Sequence, residues 1–324
     1  MRALPLSVRP PRSPGRFGAA LACCLLGASL LASCGRPGPK AQPDRPLQVV
    51  STILPITEFT KAVAGRCATV RPLLPAGVGP HDFQARPKDL VLLRQADVLV
   101  KNGLGLEGFL GKLIASAENP RLKVIDSSQG VVTLRNPEAE HDHGHDQGHH
   151  HGSVNPHIWL DPSLAEQQVN TIRDGLIAAK PACKAQFTAN AAAFTAQLRS
   201  LDAELATQLK PFAGKTFVVF HDFHPYFARR YGLKGSFVVD VPEENPTPDD
   251  LQRVANVARN SQLKALLTEP QEGGRSFQAL AQDLGVRVGE FDSIEIGPET
   301  DQQPASYLKV MRRNGQALVN AFGG

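Results

Sequence analysis

ACKAQFTANAAAFTAQLRSLDAELATQLK, residues 182–210, holds neither glycine nor proline, and Pro181 and Pro211 bracket it where a helix would start and stop. The spacing predicts one long helix. Phe187, Phe194, Leu198, Leu201, Leu205 and Leu209 recur at helical intervals, so one side packs against the rest of the chain. At about 1.5 Å per residue the helix extends on the order of 40 Å, enough to reach across two domains as a stiff strut. A strut of that kind allows small rocking of the domains and opposes wide hinge closure.

Outward from this helix, both flanks alternate short β-branched or apolar runs with amphipathic segments, the pattern of βαβ units and a parallel sheet. On the N-terminal side the strands are expected at 47–53, 69–74, 98–101 and 123–125, with helices at 57–63, 88–95 and 107–117. On the C-terminal side strands are expected at 216–220, 236–239, 265–268 and 286–291. The fold class is therefore α/β, two parallel-sheet lobes joined by a long rigid linker helix. The lobes run over 47–181 and 211–324, and 324 residues with 42% hydrophobic content can fill two cores.

Residues 1–33 read as an export signal. Arg2, Arg9, Arg12 and Arg16 precede an apolar stretch over 17–31, which ends in Leu31-Ala32-Ser33-Cys34. The stretch is short of the roughly 20 apolar residues that span a bilayer, so cleavage is expected rather than a permanent span. The last four residues resemble a bacterial lipobox, which makes Cys34 a lipid-bearing membrane tether and 34–46, rich in proline, an extended spacer. The four leader arginines account for the whole formal charge of +4. The mature chain is thus near neutral, and no nucleic-acid surface is expected. Cys23 and Cys24 leave with the leader. Cys67 and Cys183 remain, and an oxidising compartment permits a disulfide between them.

Residues 136–153 have almost no apolar content and carry His141, His143, His145, His149, His150 and His151 among Glu138, Glu140, Asp142 and Asp146. Such a stretch builds no core and reads as a surface loop with weak, exchangeable affinity for divalent metals.

Outside that loop, His81 follows the strand at 69–74, His157 opens Pro156-His157-Ile158-Trp159-Leu160-Asp161, and His221 directly follows the strand at 216–220. Ligand sites of parallel α/β sheets form beyond the carboxyl ends of strands, so two facing lobes could bring these rings to a shared cleft. Their spacing alone fixes no common face, and no HExxH is present.

Taken with their neighbours, these segments resemble the solute-binding family of zinc and manganese ABC importers. The matching pieces are Leu74-Pro75-Ala76-Gly77 leading to Pro80-His81-Asp82-Phe83, then Lys101-Asn102-Gly103-Leu104-Gly105-Leu106-Glu107. They continue with Asn155-Pro156-His157-Ile158-Trp159-Leu160-Asp161-Pro162, then Phe220-His221-Asp222 with 226–233 beyond it. The resemblance implies a metal-type periplasmic binding protein, a monomer and no enzyme. It would be exported to the periplasm or the outer face of the cytoplasmic membrane and work with an ABC permease and its ATPase. It implies His81, His157 and His221 as metal ligands and an acid late in the second lobe as the fourth. Asp292, just after the strand at 286–291, holds that place, with water as the substitute. Asn245 stands where the family commonly has a glutamate before Pro246-Thr247. His224 sits where an aromatic or small residue is usual, and reads as a supporting or surface residue.

Three imidazoles suit Zn(II) as the transported ligand, whereas Mn(II) favours more carboxylate oxygens. Asp82, Asp161 and Asp222 are candidate acceptors that fix the ring tautomers. Because only neutral imidazole binds, affinity is expected to fall as pH drops below about 6. The alternatives are a manganese-binding member of the same family, a zinc-dependent hydrolase, and a metal-buffering protein without a transporter.

Overall fold

A computed structural model describes residues 45–81, 83–135, 153–242, 245–270, 275–298 and 303–323. The expected leader, Cys34 and nearly all of the spacer lie outside these residues, as do Asp82 and the six histidines of the 136–153 segment. Among the described residues no helix is long and apolar enough to cross a membrane.

Two four-stranded parallel sheets carry the fold. The first comprises β1 (Leu47–Ser51), β2 (Ala68–Pro72), β3 (Val98–Lys101) and β4 (Lys123–Asp126) in the order β2-β1-β3-β4. The second comprises β5 (Thr216–His221), β6 (Lys234–Val239), β7 (Ala265–Thr268) and β8 (Arg287–Glu290) in the equivalent order β6-β5-β7-β8. Val98, Leu99 and Val100 in β3, and Val218 and Val219 in β5, are fully buried, as expected of strands covered on both faces.

Helices α1 (Leu54–Ala64), α2 (Pro87–Gln95), α3 (Leu110–Ala117) and α4 (Pro162–Ala179) accompany the first sheet. Proline near the start of α1, α2 and α4 costs no hydrogen bond there and presets the helical φ. Beside the second sheet run α6 (Pro225–Arg230), α7 (Pro248–Ser261) and α8 (Arg275–Leu284). Thr247 and Asp250 cap α7 reciprocally.

The stretch at 182–210 forms a 3-10 turn over Pro181–Cys183 followed by the single helix α5 (Lys184–Leu209) of 26 residues, and all six of its predicted apolar positions are buried. A disulfide joins Cys67, after α1, to Cys183, just before α5. The last helix, α9 (Pro304–Phe322), departs from a simple division into halves. It packs on α5 and α1 as well as on β7 and β8, and a Cβ on Gly315 would come within 2.5 Å of Leu205. Tyr307 fixes this return, its N–H donating to Glu58 and its hydroxyl to the carbonyl of Trp159. A hydrophobic cluster therefore runs without interruption from Val49 through α5 to Ala321.

Candidate metal centre

His221 is the last residue of β5, so its side chain emerges at the carboxyl edge of the second sheet. The register Val219↔Leu267 carries on past the strand ends to bring Glu269 beside it, and Glu269 Oε1 lies 2.5 Å from His221 Nδ1.

His157 is placed by the turn before it. Asn102 Nδ2, at the end of β3, donates to the carbonyl of Pro156 at 3.0 Å, and Ile158–Leu160 then wind into a fully buried 3-10 turn. Asn155 Oδ1 lies 2.9 Å from His157 Nδ1. His81 lies in the loop between β2 and α2. That loop is tied across the cleft by Gly77 N–H, which donates to the carbonyl of Gly297.

The three rings converge on Glu295. Its Oε1 lies 2.9 Å from His157 Nε2 and 3.8 Å from His81 Nε2, and its Oε2 lies 3.6 Å from His221 Nε2. The Nε2 atoms of His157 and His221 are 3.4 Å apart. Among the described residues, His81, His157 and Glu295 form a cluster able to hold a metal ion. With metal–ligand bonds of about 2.0 Å, neighbouring donors of a tetrahedral centre stand roughly 3.3 Å apart, and the observed spread brackets that value.

Glu295, and not the expected Asp292, is the carboxylate at this point. Asp292 faces away: its Oδ1 accepts from Ile294 N–H at 2.8 Å, its Oδ2 from Arg313 at 2.8 Å, and its backbone is held by Asn314. The Asp292–Ile294 bond closes a tight turn in which Ile294 takes φ +65°. A β-branched residue is strained there, by about 1–3 kcal/mol, and holds only where its surroundings enforce it. Trp159 Nε1–H, donating to the carbonyl of Ser293 at 2.8 Å, is part of that enforcement. The turn delivers Glu295 to the histidines.

Two of the expected supporting acceptors, Asp161 and Asp222, are also reassigned. Asp161 caps α4 by accepting from Ser163 N–H, and Asp222 accepts from Asn155 Nδ2. Among the described residues, Asn155 faces Nδ1 of His157 and Glu269 faces Nδ1 of His221. Glu269 was open to the strand-end argument that picked out the histidines, since it directly follows β7. His224 is buried between the rings of Phe217 and Phe237, with Nδ1 3.2 Å from Asp222 Oδ1, and its ring fills the space a Cβ on Gly235 would need.

The electrostatics follow from burial and pairing. Burial opposes charge on His221, but Glu269, Glu295 and Asp222 outweigh it and lift the ring to about 9. His157 goes the other way, because burial prevails over the attraction of Glu295. Burial alone would raise Glu295, yet His157 and His81 hold it well below the usual carboxylate range. Burial pushes Asp292 up to about 6, against the pull of Ile294 N–H and Arg313.

A cavity of about 880 Å³ lined by Phe83, Arg86, Leu106, Phe109 and Lys112 reaches His81, and a much smaller one beside Leu74 and Pro75 reaches Glu295.

Relatives share this arrangement of chain. The zinc-binding lipoprotein AdcA of Streptococcus pneumoniae (strain ATCC BAA-255 / R6) is 32% identical over 298 residues, covering 90% of this chain and 58% of that protein. The chain thus spans little more than half the length of that relative. The high-affinity zinc uptake system protein ZnuA of Yersinia pestis is 33% identical over 292 residues, covering 85% of this chain and 91% of that one. A crystal structure of the Zn(II)-bound ZnuA-like domain of S. pneumoniae AdcA superposes with a TM-score of 0.71 at 29% identity, covering 85% of this chain and 98% of the domain. The sequence profile of the family described as zinc-uptake complex component A, periplasmic, matches residues 49–321, and the chain belongs to that family.

Proposed function

We propose that this chain is the extracytoplasmic capture component of a zinc importer, holding one Zn(II) between its two sheets with His81, His157, His221 and Glu295 and passing it to an ABC permease driven by its ATPase. The observation that carries the reading is the cluster of His81, His157 and Glu295, able to hold a metal ion, with His221 Nε2 beside it at 3.4 Å from His157 Nε2 and 3.6 Å from Glu295 Oε2. Three nitrogens and a single oxygen favour Zn(II) over Mn(II), which prefers more oxygen donors. Glu295 in the fourth position leaves no open place for a reacting water, which argues against a hydrolase. The names of the relatives, which describe zinc binding and zinc uptake, support the same reading.

Export and anchoring through lipidated Cys34 belong to this proposal, as do a monomeric state and weak metal capture by the His-rich 136–153 segment. Metal analysis and chelator-competition titration of the purified chain test the centre. The wild type is expected to hold one zinc per chain, and His81→Ala, His157→Ala and His221→Ala each to lose it from the tight site. Retention of stoichiometric tight zinc by all three variants would overturn the reading.

A further inference from the structure

We infer that Glu269 and Asn155 are the positioning residues of the centre, Asn155 fixing which nitrogen of His157 faces the metal and Glu269 doing the same for His221 while strengthening it as a donor. The inference rests on the zinc-site reading above and deepens it.

The case for Asn155 is one of donors and acceptors. Its Nδ2 lies 2.6 Å from the carbonyl oxygen of Asp222 and 3.2 Å from Asp222 Oδ2. Both are acceptors, so the amide nitrogen must be on that side and Oδ1 must face His157. Oδ1 also accepts the backbone N–H of His157 at 3.1 Å, which fixes the same orientation. An acceptor 2.9 Å from His157 Nδ1 requires a proton on that nitrogen. The lone pair of the neutral ring is then on Nε2, the atom 2.9 Å from Glu295 Oε1. Asn155 itself is held by Tyr226, whose hydroxyl donates to its carbonyl at 2.8 Å. One side chain therefore links His157 to Asp222, the neighbour of His221.

His221 receives the same instruction from a different group. Glu269 is 5% exposed and stands beside the ring through strand register, so it is held as firmly as the sheet. A carboxylate on Nδ1 enforces the Nδ1–H form, as the amide does at His157. It also polarises the ring, making Nε2 a better donor. With Glu295 it supplies two negative charges to balance a divalent cation in a buried place, where an unbalanced charge is costly.

The test uses the full chain and zinc alone. Glu269→Gln is expected to keep one zinc per chain and, with both proteins compared by chelator competition at about pH 9.5 so that protons do not compete with the metal, to bind it 10- to 100-fold more weakly, the range for outer ligand partners. Asn155→Ala is expected to weaken binding at least tenfold. In its metal-free form, long-range ¹H–¹⁵N spectra should show His157 as a mixture of tautomers in place of Nδ1–H alone. Zinc affinity within twofold of wild type in either variant would overturn that residue's part. The wild-type spectra decide the matter where a variant does not fold. An unprotonated Nδ1 on His157 or His221 in the metal-free wild type would sink the inference for that ring. If the wild type takes no zinc, the proposed function fails, and these spectra still judge the positioning.

Discussion

The two sheets share one strand order and put it to opposite uses. In each, the chain leaves the central strand to one side and returns on the other, which opens a crevice at the carboxyl ends of β1 and β3 in the first sheet and of β5 and β7 in the second. In the first, Glu107 closes the crevice. Its carboxylate accepts from Thr52 Oγ1 at 2.6 Å, from Asn102 N–H at 2.7 Å and from Gly103 N–H at 3.0 Å. Burial pushes this acid up and those bonds pull it back. In the second, the acid is Glu269, and it orients an imidazole that faces the other half of the chain. Topology provides two equivalent crevices, and the acid in each touches something different: Glu107 satisfies backbone N–H groups, whereas Glu269 touches an imidazole of the proposed centre.

This contrast is open to test. The disulfide lies at the base of the first half, and closing a loop with a sequence separation of 116 is worth about 5 kcal/mol in the chain-entropy account. Cys67→Ser with Cys183→Ser is expected to lower the denaturation free energy by up to that amount. Zinc affinity under native conditions should stay within about twofold, because neither cysteine touches the centre. A collapse of zinc binding in a still-folded variant would mean that the disulfide helps to set His81 and His157, which the first half contributes to the proposed centre.

Glu295→Ala is expected next, with zinc affinity falling more than about 100-fold, beyond the range for outer partners. Asp292→Ala, which loosens the turn without removing a donor, should cost less, about tenfold. The reverse ranking would return the fourth position to Asp292. On the other side of the comparison, Glu107→Ala leaves the N–H groups of Asn102 and Gly103 without their acceptor, at a cost of about 1–3 kcal/mol, and should lower zinc affinity far less than Glu295→Ala, acting only through the bond from Asn102 to Pro156. Thermal melts of the metal-free variant paired with chelator competition separate the two effects.

These residues also mark how far the sequence could be read. Alternating runs and the stretch free of glycine and proline at 182–210 were sufficient for two parallel sheets and a single connecting helix. The return of α9 onto α1 was not legible, because periodicity reveals an apolar face without naming the surface it meets. His81, His157 and His221 stood out only as a set, since their approach depends on two sheets facing each other. The choice between Asp292 and Glu295 turned on Ile294 at φ +65°, a conformation that glycine would have advertised and isoleucine conceals. Asn155 and Glu269 needed the strand order and the turn before His157. Asp161 as the cap of α4 could have been found, since Asp-Pro-Ser is a helix-start signal.

The smallest effect is in protons. On sequence alone, zinc affinity was expected to decline only below about pH 6, the range of an ordinary imidazole. The pairing of His221 moves that window. With the ring raised to about 9 in the folded chain against 6.5 for the free group, the metal-free protein carries a proton there at neutral pH, and zinc must displace it from Nε2. Binding near pH 7.5 should therefore release about one proton, measurable by titration calorimetry in buffers of different ionisation enthalpy. Affinity should rise roughly tenfold per pH unit up to about 9 and then level off. Linkage gives the same group the opposite effect on the metal-free fold. Its stabilising contribution is complete below about 6.5 and is lost as pH climbs through about 9, so the melting temperature without zinc should decline over that interval. His157, held neutral by burial, should add nothing to either curve in this range. Glu269→Gln removes the acid that keeps the proton on His221, so it should abolish both the release and the alkaline decline. Proton release that survives this substitution would place the proton elsewhere in the cluster and break the distinction between an acid that satisfies backbone and an acid that orients a ligand.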